Sequence, residues 1–389
     1  MKLSLTTLTV GAFGIGMTEF VMMGILPDLS AAFGVTIPEA GYLISAYALG
    51  VVVGAPLLVG WLGTAPPKRT LIWLMIMFTL GNGLSALSPN YCVMFMMRFI
   101  SGLPHGAFFG VGAVVATRLA DEGREARAIS VMFAGLTIAN IIGVPFGTYL
   151  GHHFGWRVTF GVVALVGVLA ILSIRQWMPV MQPTPGASFK RDLEVFKRRE
   201  PWLIAGITMI GTGGFFAWFS YIAPLMTEVG GFSAEARPLI LIIAGVGMAV
   251  GNFIGGHLAD RSPLKATYTL LIAMAAVLII LVFAVQYKPT GLLVTFITGG
   301  VAFALASPLQ MLMIRASKGG EMLASAVIQG SFNIGNALGA FLGGLPIAAG
   351  LGYTSPEWVG AAMALGGLAI AVAVGREQKR QRVSEVVVS

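Results

Sequence analysis

The chain has 389 residues, of which 57% are hydrophobic and only 10% charged, with a formal net charge of +8. Soluble globular domains carry about 25% charged residues, so this chain has too little charge to coat a water-facing surface. The basic residues stand in short stretches between apolar runs, which argues against a nucleic-acid binder, and the single Cys92 leaves no intrachain disulfide and no cysteine-rich metal site.

A helix needs about 20 residues to cross the hydrocarbon core of a bilayer. Apolar runs bounded by turn and charge signals predict spans at 5–26, 40–62, 70–88, 91–117, 128–150 and 158–178, then at 202–226, 238–259, 266–287, 291–314, 322–348 and 357–375. The first is read as a span and not as a cleavable leader, because it carries Glu19 and runs straight into further spans. The expected fold class is therefore an all-α membrane protein with 12 transmembrane helices. A polar stretch at 179–201, with four prolines and the basic residues Lys190, Arg191, Lys197, Arg198 and Arg199, separates two sets of six, and its 192–199 segment suits a short surface helix. The expected units are 1–178, a linker at 179–201, 202–375 and a tail at 376–389.

With the amino terminus placed in the cytoplasm, 20 of the 24 Lys and Arg fall on the cytoplasmic side. Three (Arg157, Arg237 and Lys288) fall outside, and Arg98 lies within a span. That asymmetry puts both termini in the cytoplasm. The halves also repeat: Ala128, Val131, Ile138, Asn140, Gly143 and Gly147 align with Ala324, Val327, Ile334, Asn336, Gly339 and Gly343. Two repeats of this kind suit a transporter that rocks one half against the other around a site at mid-membrane.

The stretch Gly256-His-Leu-Ala-Asp260-Arg261-Ser-Pro-Leu-Lys265 resembles the G-x-L-A-D-R-x-G-R-K signature of the major facilitator superfamily, with Pro263 and Leu264 at the G-R positions. Its first-half copy keeps Gly60, Leu62, Lys68 and Arg69 and has Thr64 in place of the acid. Arg98-Phe-Ile-Ser-Gly102 is similar to the family's R-x-x-x-G motif. Asn140-Ile-Ile-Gly143-Val-Pro145-Phe-Gly147 resembles the glycine-proline antiporter motif, with Val144 inserted between Gly and Pro. Together with Gly14-Ile-Gly-Met-Thr-Glu19-Phe20, these residues resemble the drug:proton antiporter branch, and within it the arabinose- or sugar-efflux-like permeases, over essentially the whole chain. The resemblance implies gating by Gly60, Lys68, Arg69, Gly256, Asp260, Arg261 and Lys265, a weakened lock at Thr64, and a proton role for Arg98. It also implies that spans 1, 4, 7 and 10 line a central cavity, and that the direction of transport is export.

Glu19 is the one acid of 16 that lies well inside a predicted span. A charge at mid-bilayer costs roughly 2.5–3.5 kcal/mol on insertion scales, so it persists with a partner or a job. Counted along their helices, Glu19 lies roughly 21 Å above the cytoplasmic start of span 1 and Arg98 roughly 11 Å below the outer start of span 4. The two are therefore expected to face one another or share a water network. Glu19 reads as the proton-coupling group, with a static ion pair and a substrate contact as the other readings. His105, seven residues after Arg98, reads as a proton relay or a hydrogen-bond donor to substrate, or else as a histidine bonded to a neighbouring helix.

Phe13, Phe20, Tyr47, Phe108, Phe109, Phe215, Trp218 and Tyr221 lie in or beside the cavity spans. An aromatic cavity suits amphipathic or planar compounds, although packing and lipid contact account for many membrane aromatics. Ser307, Gln310, Gln329 and Asn333 offer hydrogen bonds to a substrate, while Asn140 and Asn336 read as helix–helix ties. His257 reads as a gating or incidental residue. His152 and His153, in a short outer loop without acidic partners, do not suggest a metal site. Gly143, Gly147, Gly339 and Gly343 suit close packing where the halves slide.

No phosphate-binding G-x-x-x-x-G-K-[ST] and no G-x-S-x-G or H-E-x-x-H pattern is present, so neither ATP drive nor an enzyme is expected. No cofactor or metal is expected either. The partners expected are a small-molecule substrate, protons and membrane lipid, with anionic lipid against the basic linker, and the functional unit is expected to be a monomer. A uniporter, a proton-coupled importer and a ligand sensor stay open beside the exporter. The short tail after Gly375, with no added soluble domain, weighs against the sensor.

Overall fold

The computed structural model describes residues 3–62, 65–121, 125–182, 194–317 and 321–388, excepting the side chains of 125–127, 321–322 and 379–388. All regular structure among the described residues is helical. The first half comprises α1 (Leu3–Phe33), α2 (Ile37–Leu62), α3 (Pro67–Ala86) and α4 (Tyr91–Leu119). It continues with α5, built from Glu125–Ile138, Ala139–Gly143 and Val144–Phe154, and with α6 (Trp156–Trp177). The second half opens with α7, a broken rod made of Arg199–Gly211, Gly213–Phe219, Ile222–Pro224 and Leu225–Val229. Then come α8 (Arg237–Arg261), α9 (Pro263–Ala284), α10 (Lys288–Ala304 and Ala306–Ala316), α11 (Glu321–Ala348) and α12 (Ser355–Val388).

Ten of these rods are long and apolar enough to cross a membrane. The other two, α3 and α11, fall where the third and eleventh spans are predicted and carry more polar residues. Of the expected 192–199 surface helix, residues 192–193 lie outside the described residues, and 194–198 form a single helical turn and a bend before α7 begins.

Local chemistry sets the ends of the rods. Thr36 and Glu39 form a reciprocal capping box at the start of α2, with Thr36 N donating to Glu39 Oε2 at 2.7 Å and Glu39 N donating to Thr36 Oγ1 at 3.3 Å. Asn90 Oδ1 accepts from Val93 N at 3.0 Å and caps α4. Gly155, at φ +93°, makes the turn from α5 to α6 that a side chain would strain.

Inside α5 the residues Ala139–Gly143 form a π-helical turn immediately before Pro145. Proline has no N–H to close an α-helical bond, and a π turn accommodates one extra residue. Val144, the insertion in the glycine-proline motif, is absorbed there, its N–H donating to Ala139 O.

Close backbone packing joins α2 to α4 and, in the same way, α8 to α10. A Cβ on Gly50 would fall 2.1 Å from Phe99 O, and one on Gly247 would fall 2.1 Å from Phe296 O. The repeat seen in the sequence is thus a repeat of helix contacts. The halves meet along α2 with α11 and along α5 with α8. Ser45 Oγ donates to Ala337 O at 3.0 Å across the first seam. At the second, Gly245 lies so close to α5 that an added Cβ would be 2.5 Å from Asn140 O.

The packing differs sharply between the two ends of the molecule. At the end carrying Lys68, Arg118, Arg261 and Arg315, here called the basic end, each half has its own apolar core. One is built around Leu8, Leu74, Phe108 and Ile174, the other around Ile204, Leu271, Leu309 and Ala371. At the opposite end a single core crosses between the halves and joins Phe20, Leu26, Leu43 and Trp156 to Trp218, Tyr221, Leu241 and Leu281. The molecule is closed at one end and parted at the other.

Candidate functional site

A cavity of about 590 Å³ lies between the halves, within the usual range for small-molecule sites. It reaches the basic end, since Ile129 and Ser130 in the first turns of α5 and Met311 and Ile314 near the end of α10 line it. Its aromatic wall is Phe20, Phe133, Phe215, Phe216, Phe303 and Phe332, and its polar wall includes Ser307, Gln310, Gln329, Asn333, Asn252 and Thr212. Among the described lining residues, Glu19 is the only acid, His105 the only histidine, and there is no lysine or arginine.

Phe20, Phe215, Gln310, Gln329 and Asn333, expected as substrate contacts, all lie on this wall, together with Ser307. Tyr47, Phe108, Phe109, Trp218 and Tyr221, expected in the same role, lie inside the protein instead. Phe108 and Phe109 fill the core of the first half, because α4 turns that face toward α1 and α5. Trp218 and Tyr221 sit in the core at the closed end, and Tyr221 Oη donates to Ala340 O at 2.6 Å. The sequence reading missed Phe133, Phe216, Phe303 and Asn252, which carry no mark in the chain apart from their helix faces.

Arg98 is fully buried and is held by α1, α2 and α6. Its Nη1 donates to Thr18 Oγ1 at 3.0 Å and its Nη2 to Thr18 O at 3.2 Å. The guanidinium carbon lies 4.4 Å from the centroid of the Tyr47 ring and 5.6 Å from that of Phe160, an arrangement that stabilises a desolvated cation. Thr18 Oγ1 donates in turn to Asn82 Oδ1, which anchors α3. Tyr47 Oη lies 3.1 Å from His105 Nδ1, a contact in which either group donates according to the imidazole tautomer.

Polar contacts therefore run from His105 on the cavity wall through Tyr47 and Arg98 to Thr18, the residue before Glu19. The expectation that Arg98 and Glu19 face one another is met only in part. No ion pair joins them among the described residues, and Arg98 bonds residue 18. Successive helical residues diverge by about 100°, so Thr18 faces α3 and α4 while Glu19 faces the other half. There Asn336 Nδ2 of α11 donates to Glu19 Oε1 at 3.4 Å.

At the parted end, Lys68 Nζ donates to Arg175 O at 2.9 Å and also to Met178 O, closing the carbonyl end of α6 within its own half. Arg69, Asp260, Arg261 and Lys265 are exposed, and a Cβ on Gly60 or Gly256 would meet nothing within 4 Å. Thr64 lies outside the described residues. In the antiporter motif, Gly143 and Gly147 pack on α1, where added Cβ atoms would lie 2.9 Å from Phe13 Cζ and 2.8 Å from Val21 Cγ2. Pro145 is buried, and Asn140 Nδ2 donates to Leu136 O of its own helix at 3.0 Å. His257 bonds the carbonyl of Phe253 on its own helix and is exposed.

The closed end is pinned across the halves by a cluster that the sequence reading missed. Arg237 Nη1, at the start of α8, donates to Asp28 Oδ2 at 2.6 Å and to Gly24 O at 3.2 Å, both on α1. His152 Nδ1 of α5 lies 3.0 Å from Asp28 Oδ1 and also contacts Arg237 Nη2. His152 thus has an acidic partner, supplied by another helix and not by its own loop. The available signal was the charge count, since Arg237 is one of only three cations on the sparse side. A second acid, Glu357 in the first turn of α12, is as buried as Glu19, and its Oε2 has no hydrogen-bond partner.

The family model for the Major Facilitator Superfamily matches residues 8–322. The chain belongs to the Major Facilitator Superfamily. Several curated members resemble it over nearly their whole length. AraJ of Escherichia coli is 37% identical over 382 residues, covering 98% of this chain and 97% of its own. The inner membrane transport protein YdhP of Escherichia coli is 40% identical over 366 residues, 94% of each chain. A chloramphenicol resistance protein of Streptomyces lividans is 28% identical over 383 residues, 96% of this chain and 95% of its own. The protein is thus a multi-pass membrane transporter of the Major Facilitator Superfamily.

Proposed function

We propose that the protein is a proton-coupled exporter of a small organic molecule, sited in a bacterial inner membrane and working by alternating access. The basic end then faces the cytoplasm with both termini, as the distribution of Lys and Arg favours, and the cavity takes substrate from that side. Residues 1–178 and 202–375 are the two units that rock, with 179–201 joining them, and a monomer suffices. The observation that carries this reading is Glu19, the one acid among the described residues on the wall of a cavity rich in phenylalanine. An acid so placed has a task more often than not, and carrying a proton is the task that suits a group reached alternately from each side. Its neighbour Arg98 bonds Thr18 through both Nη atoms and stacks on two aromatic rings, its Nε alone lacking a partner, which leaves Glu19 available to gain and lose a proton. His105, joined to Arg98 through Tyr47, is the second proton-handling group in this scheme.

The aromatic wall with neutral amides and hydroxyls fits an amphipathic compound that carries a flat apolar part and a few hydrogen-bonding groups. The similarity to a chloramphenicol resistance protein makes amphenicols the first candidates, with sugars and related metabolites next. The test is substrate-triggered proton movement in proteoliposomes that hold an imposed proton gradient. Wild type is expected to release protons on addition of one compound class, and Glu19→Gln to release none while remaining folded in the membrane. Transport of a labelled compound without proton movement in wild type would make the protein a uniporter and leave Glu19 a packing residue.

A further inference from the structure

We propose that Asn336 is the positioning residue that reads the proton on Glu19 from across the molecule. The inference rests on Glu19 as the proton carrier and assigns the group in the opposite half that senses its state. Asn336 is fully buried on α11. Its Nδ2 donates to Glu19 Oε1 at 3.4 Å, and its Oδ1 has no partner. A buried amide oxygen left without a donor is costly unless some state of the protein fills it. The neighbouring carboxyl has such a state. A carboxylate only accepts hydrogen bonds, whereas a carboxylic acid also donates one. Charged Glu19 makes one bond with Asn336, from Nδ2. Protonated Glu19 makes two, its O–H donating to Oδ1 and its carbonyl accepting from Nδ2. A lysine at 336 would serve only the charged form and an aspartate only the protonated one.

The surrounding packing makes this contact one that movement of the halves must alter. Asn336 is set into α11 between two close approaches to α7: added Cβ atoms would lie 2.6 Å from Thr212 Oγ1 at Gly335 and 2.5 Å from Gly213 O at Gly339. The amide therefore travels with the second half as a rigid part of it, while Glu19 travels with the first. The repeat supplies its own control. Asn140 occupies the equivalent place in α5, yet its amide bonds its own helix at Leu136 O. The same residue in the same repeat position has a cross-half acid partner in one half only.

The test needs no substrate. Infrared difference spectra of the full chain in lipid nanodiscs, titrated with pH, report the carbonyl band of a protonated buried carboxyl, and loss of that band in Glu19→Gln assigns it to Glu19. Asn336→Asp should raise the pH midpoint of this band by about one unit, a tenfold gain in proton affinity, because two adjacent carboxyls resist sharing charge. Asn336→Leu should move the band toward the frequency of a carbonyl without a hydrogen bond, and Asn140→Leu should leave both its frequency and its midpoint as in wild type. A Glu19 band with the wild-type midpoint and frequency in both Asn336 variants overturns the proposal while sparing Glu19 as carrier. The absence of any Glu19 band across the titration overturns both.

Discussion

Thr18 shows how much of this site depends on single polar atoms. Its hydroxyl accepts from Arg98 Nη1 and donates to Asn82 Oδ1, so one side chain joins α1, α3 and α4. Valine has nearly the same shape and neither capacity. Thr18→Val would leave a buried guanidinium N–H and a buried amide oxygen short of a partner, a loss of about 1–3 kcal/mol. Thermal unfolding of the purified protein should show a fall of several degrees, and an unchanged midpoint would mean that water replaces the hydroxyl. Thr18 itself was not legible in the sequence. Buried threonines are common in membrane helices, and this one stands out only once Arg98 is seen to reach it. Glu19 and Arg98 were legible because charge inside an apolar run is costly. Which neighbour each would choose was not, because adjacent positions on α1 point to different halves.

Between helices, glycine decides how close the rods come. A Cβ on Gly102 would fall 2.2 Å from Tyr47 O, whereas one on Gly60 would meet nothing within 4 Å. The two replacements should therefore have opposite effects. Gly102→Ala forces α2 and α4 apart at the level of Arg98 and should cost about 1–3 kcal/mol as overpacking does. Gly60→Ala should be neutral or stabilising by roughly 0.5–1 kcal/mol, since alanine is the better helix former. Unfolding curves of the two variants check both signs, and any transport defect in Gly60→Ala without loss of stability would then belong to gating.

The helix order and the pairing of the repeats could be read from the chain because apolar length and glycine spacing are local signals. The breaks in α7 and α10 were not read, although Pro224 and Pro308 leave the carbonyls of Ser220 and Ala304 without an α-helical N–H where the rods break. The π turn of α5 lies between these cases. The inserted Val144 was visible, but its consequence required knowing that Pro145 denies the helix its usual bond.

For the molecule as a whole, the question is what holds one end shut while the other stands open. The shared apolar core at the closed end supplies most of the contact, but such a core would also form in a looser arrangement of the same residues. Direction comes from Arg237, a nearly buried cation of the second half whose Nε donates to Ala234 O of its own half while its two Nη atoms bond Asp28, Gly24 and His152 of the first. Removing one member of a fully buried charge pair costs about 3–5 kcal/mol because the other is left unpaired, and less here because the Asp28 side chain is 20% exposed. Here that cost falls only on the closed state, since parting the ends lets water reach Asp28. Arg237→Ala should therefore shift the population toward a state open at this end without unfolding the protein. A cysteine replacing Met226, which is fully buried in the shared core, reports the change once the exposed Cys92 has been replaced by serine. Alkylation at position 226 by a water-soluble maleimide is expected to be at least about tenfold faster with Arg237→Ala than with arginine present, as a bias of 1.4 kcal/mol or more requires. Equal rates in the two backgrounds would mean that the apolar core alone keeps this end closed and that the charge cluster only fixes its register.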